Sequence, residues 1–342
     1  MKDSANLDFM RAWAVVAVLI NHLFYSFGNH GYRFLAFRFL GRVGVLVFFV
    51  HTSLVLMMSM RRSASIDHPT LHFYLRRAFR IYPLSIVCVT AYVLAGLPPD
   101  LWESGMRMSP LIVASNLLLV QNLTGGYSVL SPLWSLPFEV QMYLVLPFVY
   151  AAARRGRTAA VAMILCSVGA CGVLRLLKAD YLLGLITYAP CFLSGVLAFT
   201  LLSGSRKRWN GGWWIAAVLG LTVGATVLMS VLEHGVAAAG WALCLALGAL
   251  IPRFEEIRSH WLRAASHTVA KYSYSIYLTQ VPAMWIAVHL SNRFPVQLAA
   301  VGVLTVAMSL AGYHWIEAPM IRIGKRVADG AFPRREPVAA SF

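Results

Sequence analysis

Apolar stretches recur along this chain, each near the roughly 20 residues a helix needs to cross a hydrocarbon core. They fall at residues 8–28, 41–60, 80–97, 132–152, 158–177, 181–203, 212–232, 236–251, 272–290 and 296–318. Nothing in hydrocarbon can satisfy an open backbone, so segments of this kind must fold as helices. The pattern therefore predicts an all-α fold, a polytopic transmembrane helical bundle of about ten spans. Composition agrees: 59% of residues are hydrophobic and 12% charged, against roughly 45–50% and about 25% in soluble domains. A soluble fold of this size could not hide so much apolar surface.

The net charge of +16 could be misread as a nucleic-acid footprint. Placement decides against that. The basic residues sit in short runs between apolar stretches, as cytoplasmic loops require, and not along one helix face or in a tail. With both termini cytoplasmic, the inner side receives Arg61, Arg62, Arg76, Arg77, Arg80, Arg154, Arg155, Arg157, Arg206, Lys207 and Arg208. Arg253, Arg258, Arg263, Lys271 and the basic C-terminal segment follow on the same side. The outer side keeps Arg33, Arg38, Arg42, Arg107, Lys178 and Arg293. A further apolar piece, 111–120, spans only about 15 Å as a helix. Letting it cross would throw the Arg154 and Arg206 clusters outside, so it is expected to be re-entrant or interfacial.

The first stretch is too long for a signal-peptide core and is read as a retained span. The five cysteines lie in or beside apolar stretches without CxxC spacing and read as packing residues. Two regions are expected: an integral membrane domain, 1–326, and a disordered cytoplasmic tail, 327–342.

Polar groups inside a span are expensive and mark candidate sites. Arg11 and His22 in the first span are eleven residues apart, about three helical turns, and share a face roughly 16 Å apart along the axis. Arg11 sits near the cytoplasmic mouth and His22 about 9 Å below the outer surface. A simpler reading has Arg11 snorkelling to headgroups and His22 bonding a backbone carbonyl. Ser131-Pro132 reads as a helix start with Ser131 as N-cap, which puts Glu139 roughly 10 Å deep. An imidazole and a carboxylate at matching depth predict pairing, with Glu139 orienting His22. Alternatively, Glu139 only ties helices together. Arg76, Arg77 and Arg80 lie at i,i+3 and i,i+4 spacings and can converge on one anion such as a phosphate, or simply serve as a positive-inside cluster. His51, the Tyr272–Gln280 run and the Tyr313–Pro319 run are weaker candidates for polar helix contacts. No metal-ligand spacing, Walker loop or nucleophile elbow occurs.

In order, six segments resemble the acyltransferase 3 family, bacterial integral membrane acyltransferases that often decorate surface polysaccharides. They are Leu7-Asp8-Phe9-Met10-Arg11 through His22; Gly44-Val45 through Phe48-Phe49; Arg77 through Arg80-Ile81-Tyr82-Pro83; Leu133-Trp134-Ser135-Leu136 through Glu139; Ser273-Tyr274 through Tyr277-Leu278; and Ile316-Glu317-Ala318-Pro319.

The resemblance implies a bacterial inner-membrane enzyme moving an acyl group, acetyl by expectation, from acyl-CoA to a hydroxyl of a glycan or lipid-linked sugar on the outer side. It would belong to the acyltransferases that move groups other than amino-acyl groups. Acyl-CoA would be a substrate, with no permanently bound cofactor and no metal. It implies that Arg11 and the Arg76, Arg77 and Arg80 cluster engage the donor's phosphates. His22 would be the general base or a transient acyl carrier, with Glu139 beside it and Ser135, His51, Tyr277 and Glu317 in support. Two positions depart from the family pattern: His51-Thr52-Ser53 where many members carry Ser-Gly, and Gln280 where many carry His.

Two other classes compete. A proton-coupled transporter or flippase for a glycan or lipid-linked substrate could use the same buried set; the inverted repeats or paired broken helices typical of transporters are not evident. A non-catalytic scaffold would have little use for so many buried polar groups.

Overall fold

A computed structural model describes residues 4–27, 38–97, 108–178, 183–202, 208–232 and 235–333. An isolated β-bridge joins Trp209 and Phe254. The helices are α1 (Ala5–Phe27), α2 (Leu40–Arg62), α3 (Pro69–Leu94), α4 (Pro110–Leu117), α5 (Leu136–Ala153), α6 (Arg157–Leu176), α7 (Leu183–Leu201), α8 (Gly212–Val231), α9 (Val236–Leu250), α10 (His260–Leu290), α11 (Phe294–Ala311) and α12 (Ala318–Ala331). A 3₁₀ turn, Ser131–Ser135, leads into α5, and a π-turn, Gly312–Glu317, joins α11 to α12.

Nine helices among the described residues are long and apolar enough to cross a membrane. The expected span at 272–290 falls outside that count, because serine, threonine and glutamine fill the buried face of α10. Yet α10 runs for 31 residues, or about 46 Å, and it packs between α1 and α11. Both α3 and α10 begin about three turns before the expected span, at Pro69 and His260, and extend the bundle at one end.

Contacts gather the basic loops at that end. Asn6 bonds Glu255 and Glu256, whose carboxylate accepts from the first-turn N–H of α1, satisfying a helix N-terminus with negative charge. Trp209 bridges to Phe254 and Asp67 to Pro333. At the other end Arg38 reaches Ser230 and Arg42 reaches Tyr188. The positive-inside rule makes the first end cytoplasmic.

The most buried helix is α2: 78% of its apolar window is buried, against 17% for α6. It contacts α1, α5, α7, α8 and α9. Gly44 permits this, since a Cβ there would lie 2.6 Å from the Ala14 carbonyl oxygen. Small residues let membrane helices approach this closely where apolar lipid supplies no driving force. Leu165, Val173, Phe148 and Val303 project outward from the peripheral helices, as a lipid-facing surface requires.

Helix α4 has eight residues and is too short to cross. Ser109 caps it by accepting from the Ile112 N–H. Asn116 ties its end to Tyr127 and Val129, while Gln121 reaches the Leu133 carbonyl. The polar run after the apolar piece thus folds the chain back toward the start of the 3₁₀ turn.

The boundary expected at residue 327 falls within a helix. Pro319 occupies the opening turn of α12, where its missing N–H costs little, and the wider π-turn before it keeps the chain helical. Residues 327–331 are therefore helical, and 334–342 lie outside the described residues. Helix α12 packs on α3, where a Cβ on Gly324 would lie 2.4 Å from the Phe79 side chain and His72 meets Asp329 at 3.0 Å.

Candidate active site: two cavities joined by a neck

Two cavities and a narrow neck lie along the Arg11–His22 face of α1. The inner one, about 460 Å³, is lined by Arg11, Arg62, Arg80 and Lys271 together with Asp8, His51 and His267. A neck of about 50 Å³ follows, between Arg11, Val45, Phe48, Ser135, Glu139 and Tyr277. Beyond it opens an outer cavity of about 520 Å³, walled by His22, Arg42, Ser131, Trp134 and Tyr188. Arg11 lines both the inner cavity and the neck, and Val45 both the neck and the outer cavity.

Three of the inner cations are held by neighbours. The Nε of Arg11 donates to Ser273 Oγ at 2.6 Å, and that hydroxyl donates to the Ala270 carbonyl. Arg80 forms a 2.8 Å ion pair with Glu317, whose other oxygen accepts from Ser275 at 2.8 Å. Lys271 lies 5.1 Å from the rings of Tyr272 and Tyr313. Asp8 is engaged by His267 at 2.9 Å. Arg62, Lys271, Ser273 and the Asp8–His267 pair were not singled out from sequence. Arg62 and Lys271 read there as ordinary inner-loop charge, whereas Asp8 and Ser273 each stand in a segment that resembles the family's pattern.

The expected convergence of three arginines does not occur. Arg80 faces the inner cavity, whereas Arg76 and Arg77 line a separate one of about 240 Å³ with Arg154. Glu317 explains the split: an arginine side chain is long enough to reach whichever carboxylate is buried nearby, and this one draws Arg80 away.

The expected pairing of Glu139 with His22 also fails. Glu139 accepts from Tyr143 and lies within electrostatic range of Arg11, Arg77 and Arg80. His22 has Gln280 within hydrogen-bonding reach, and its Nδ1 is without a protein partner. The cause is the 3₁₀ turn at Ser131–Ser135. Each of its residues turns about 20° further and rises about 0.5 Å more than in an α-helix. Glu139 is therefore swung by about 100° and carried deeper, onto the Arg11 side of the neck. Ser131 supplies no side-chain cap; Leu130 holds the N-cap position.

Ser135 and Tyr277 share a 2.8 Å hydrogen bond in the neck, and Phe48 meets the Tyr277 ring edge-on at 6.1 Å. His51 is buried on α2 beside the inner cavity, within electrostatic range of Arg11. Gln280, by contrast, is beside His22 in the outer half of the site.

The arrangement offers a cationic chamber open to one face, an imidazole in a chamber open to the other, and a polar constriction between them. Neither the curated proteins nor the solved structures include a match to this chain. A family model described as an acyltransferase domain matches residues 4–314. A match over nearly the whole length establishes that the chain belongs to the acyltransferase 3 family of membrane acyltransferases.

Proposed function

We propose that the protein takes an acyl group, acetyl in the first instance, from acyl-CoA at the cytoplasmic face of a bacterial inner membrane. It passes the group to a sugar hydroxyl on a glycan or lipid-linked saccharide presented from the outer side. The observation that carries this reading is the alignment of the two cavities and the neck on the Arg11–His22 face.

Arg11, Arg62, Arg80 and Lys271 form a setting for the donor's phosphates, with guanidinium forks suited to bidentate contact. The thiol-ended arm then threads the neck past Ser135 and Tyr277 and brings the thioester to the outer chamber. There His22 acts as general base. The acceptor oxygen attacks the thioester carbonyl as its proton passes to the imidazole; the C–O bond forms, the C–S bond breaks, and the departing thiolate takes that proton back. Glu139, bonded to Tyr143 and facing Arg11, is a positioning residue at the donor end. A covalent acyl-His22 intermediate is the variant mechanism, and it would accumulate labelled protein when acceptor is withheld.

Incubating the purified protein in nanodiscs with acetyl-labelled acetyl-CoA and a glycan extract tests the reading. Release of CoA with label appearing on sugar is expected. A transporter would move glycan without cleaving the thioester, and that outcome would overturn the proposal.

A further inference from the structure

The outer chamber describes its own ligand. Arg38 and Arg42 both line it, and among its described lining residues none is acidic. Arg42 lies in the first turn of α2, the unfavourable end of a helix for a cation. That helix begins at an N-cap, Phe39, without a side-chain cap bond, and carries no acid in its first turn. Arg42 touches Tyr188 at 3.3 Å, and Arg38 lies over the Phe39 ring at 4.7 Å and reaches the Ser230 carbonyl at 3.5 Å. Cations are scarce on this face by the orientation rule, yet two of them meet at one cavity. His22 lines the same cavity while about nine-tenths buried, and its Nδ1 is without a protein partner. Two guanidiniums at an open helix N-terminus, beside a base with a free ring nitrogen, form a place where a negative charge and a reacting hydroxyl meet.

Resting on the acyl-transfer reading above, we infer that the acceptor is an anionic sugar, one carrying a carboxylate or a phosphate close to the hydroxyl that receives the acyl group. Arg42, with Arg38 behind it, binds the anion. Trp134 and Tyr188, whose rings meet at 5.9 Å, form one aromatic wall against which the sugar rests. The base then sits at the neighbouring hydroxyl.

Glycans from native-host cells lacking the protein serve as the acceptor pool, with the full chain in nanodiscs and acetyl-labelled acetyl-CoA. Label is expected on a glycan that an anion exchanger retains. Incorporation is expected to vanish after chemical reduction of the carboxylates if the charge is a uronate, or after dephosphorylation if it is a phosphate. Arg42→Gln is expected to raise KM for that glycan by about 10- to 100-fold, the size of a lost charge-assisted contact, with Arg42→Lys recovering part of the loss. Label on a neutral glycan, insensitivity to both treatments, or an unchanged KM in Arg42→Gln overturns the inference while leaving acyl transfer standing. Absence of both thioester cleavage and label removes the acyl-transfer reading, and this inference with it.

Discussion

The inner and outer chambers both present arginine, but they hold it differently. Inside, Arg80 is paired with a buried carboxylate, Arg11 is pinned by a serine, and Lys271 rests between two tyrosines. Outside, Arg42 meets the hydroxyl and ring of Tyr188, Arg38 lies over Phe39, no described acid lines the cavity, and aromatic rings make up much of the wall. The inner chamber is preorganised, so a ligand meets cations that are already fixed and loses little further side-chain entropy on binding. The outer chamber leaves its cations adaptable. The same residue type is thus held by close polar and ring partners on one side and lies against an aromatic wall on the other.

The largest effect should come from the imidazole. His22→Ala is expected to lower transfer by about 10²–10⁴-fold while donor affinity, measured by calorimetry in nanodiscs, stays as in the wild type. Weakened donor binding in that variant would erase the division of labour between the chambers. Next comes the buried pair. Glu317→Ala leaves Arg80 uncompensated and should cost about 3–5 kcal/mol of stability, visible as a lowered unfolding temperature in detergent. If stability is unchanged and only donor affinity moves, the inner cations are not held in the way their distances indicate.

Arg11→Lys keeps the charge but loses the Nε contact to Ser273. Donor affinity should fall by about tenfold or somewhat more, in line with a charged hydrogen bond of about 1.5–3 kcal/mol. Equal affinity in that variant would reduce Arg11 to a point charge. Smallest is Asp329→Asn, which weakens the tie between α12 and α3. Half of the Asp329 side chain is exposed, so a loss of about 1 kcal/mol or less is expected, read as faster amide exchange confined to α12. Unfolding of the whole bundle in this variant would show that α12 is integral to the inner chamber.

Much of the architecture was legible because hydrocarbon leaves the backbone few options. Span length and the distribution of arginine located α1 through α9, and they identified α4 as a piece that cannot cross. The Arg11–His22 line was equally legible, because both residues lie on one unbroken helix and 3.6-residue periodicity fixes their relation. Glu139 was misplaced because five residues of 3₁₀ geometry precede it, and Ser131-Pro132 opens either kind of helix. Arg80 was grouped with the wrong neighbours because spacing along a helix constrains where a Cβ points, not where a long guanidinium ends. Its partner Glu317 belongs to the far end of the sequence, where a motif marked it but no spacing could join it to Arg80. Helix α12 was hidden by Pro319, which breaks a helix interior but suits a helix start.

The neck has a consequence beyond chemistry. Two chambers that open to opposite faces of a membrane are, in outline, a pore, and a pore dissipates the gradients that a cell's energy metabolism depends on. At about 50 Å³ the constriction holds only a few water molecules. The Ser135–Tyr277 bond occupies hydroxyls that could otherwise relay protons. At about 2.3 kcal/mol per elementary charge for each 100 mV, an ion finding a continuous wet path here would be driven through it. A constriction this narrow leaves little room for such a continuous wet path.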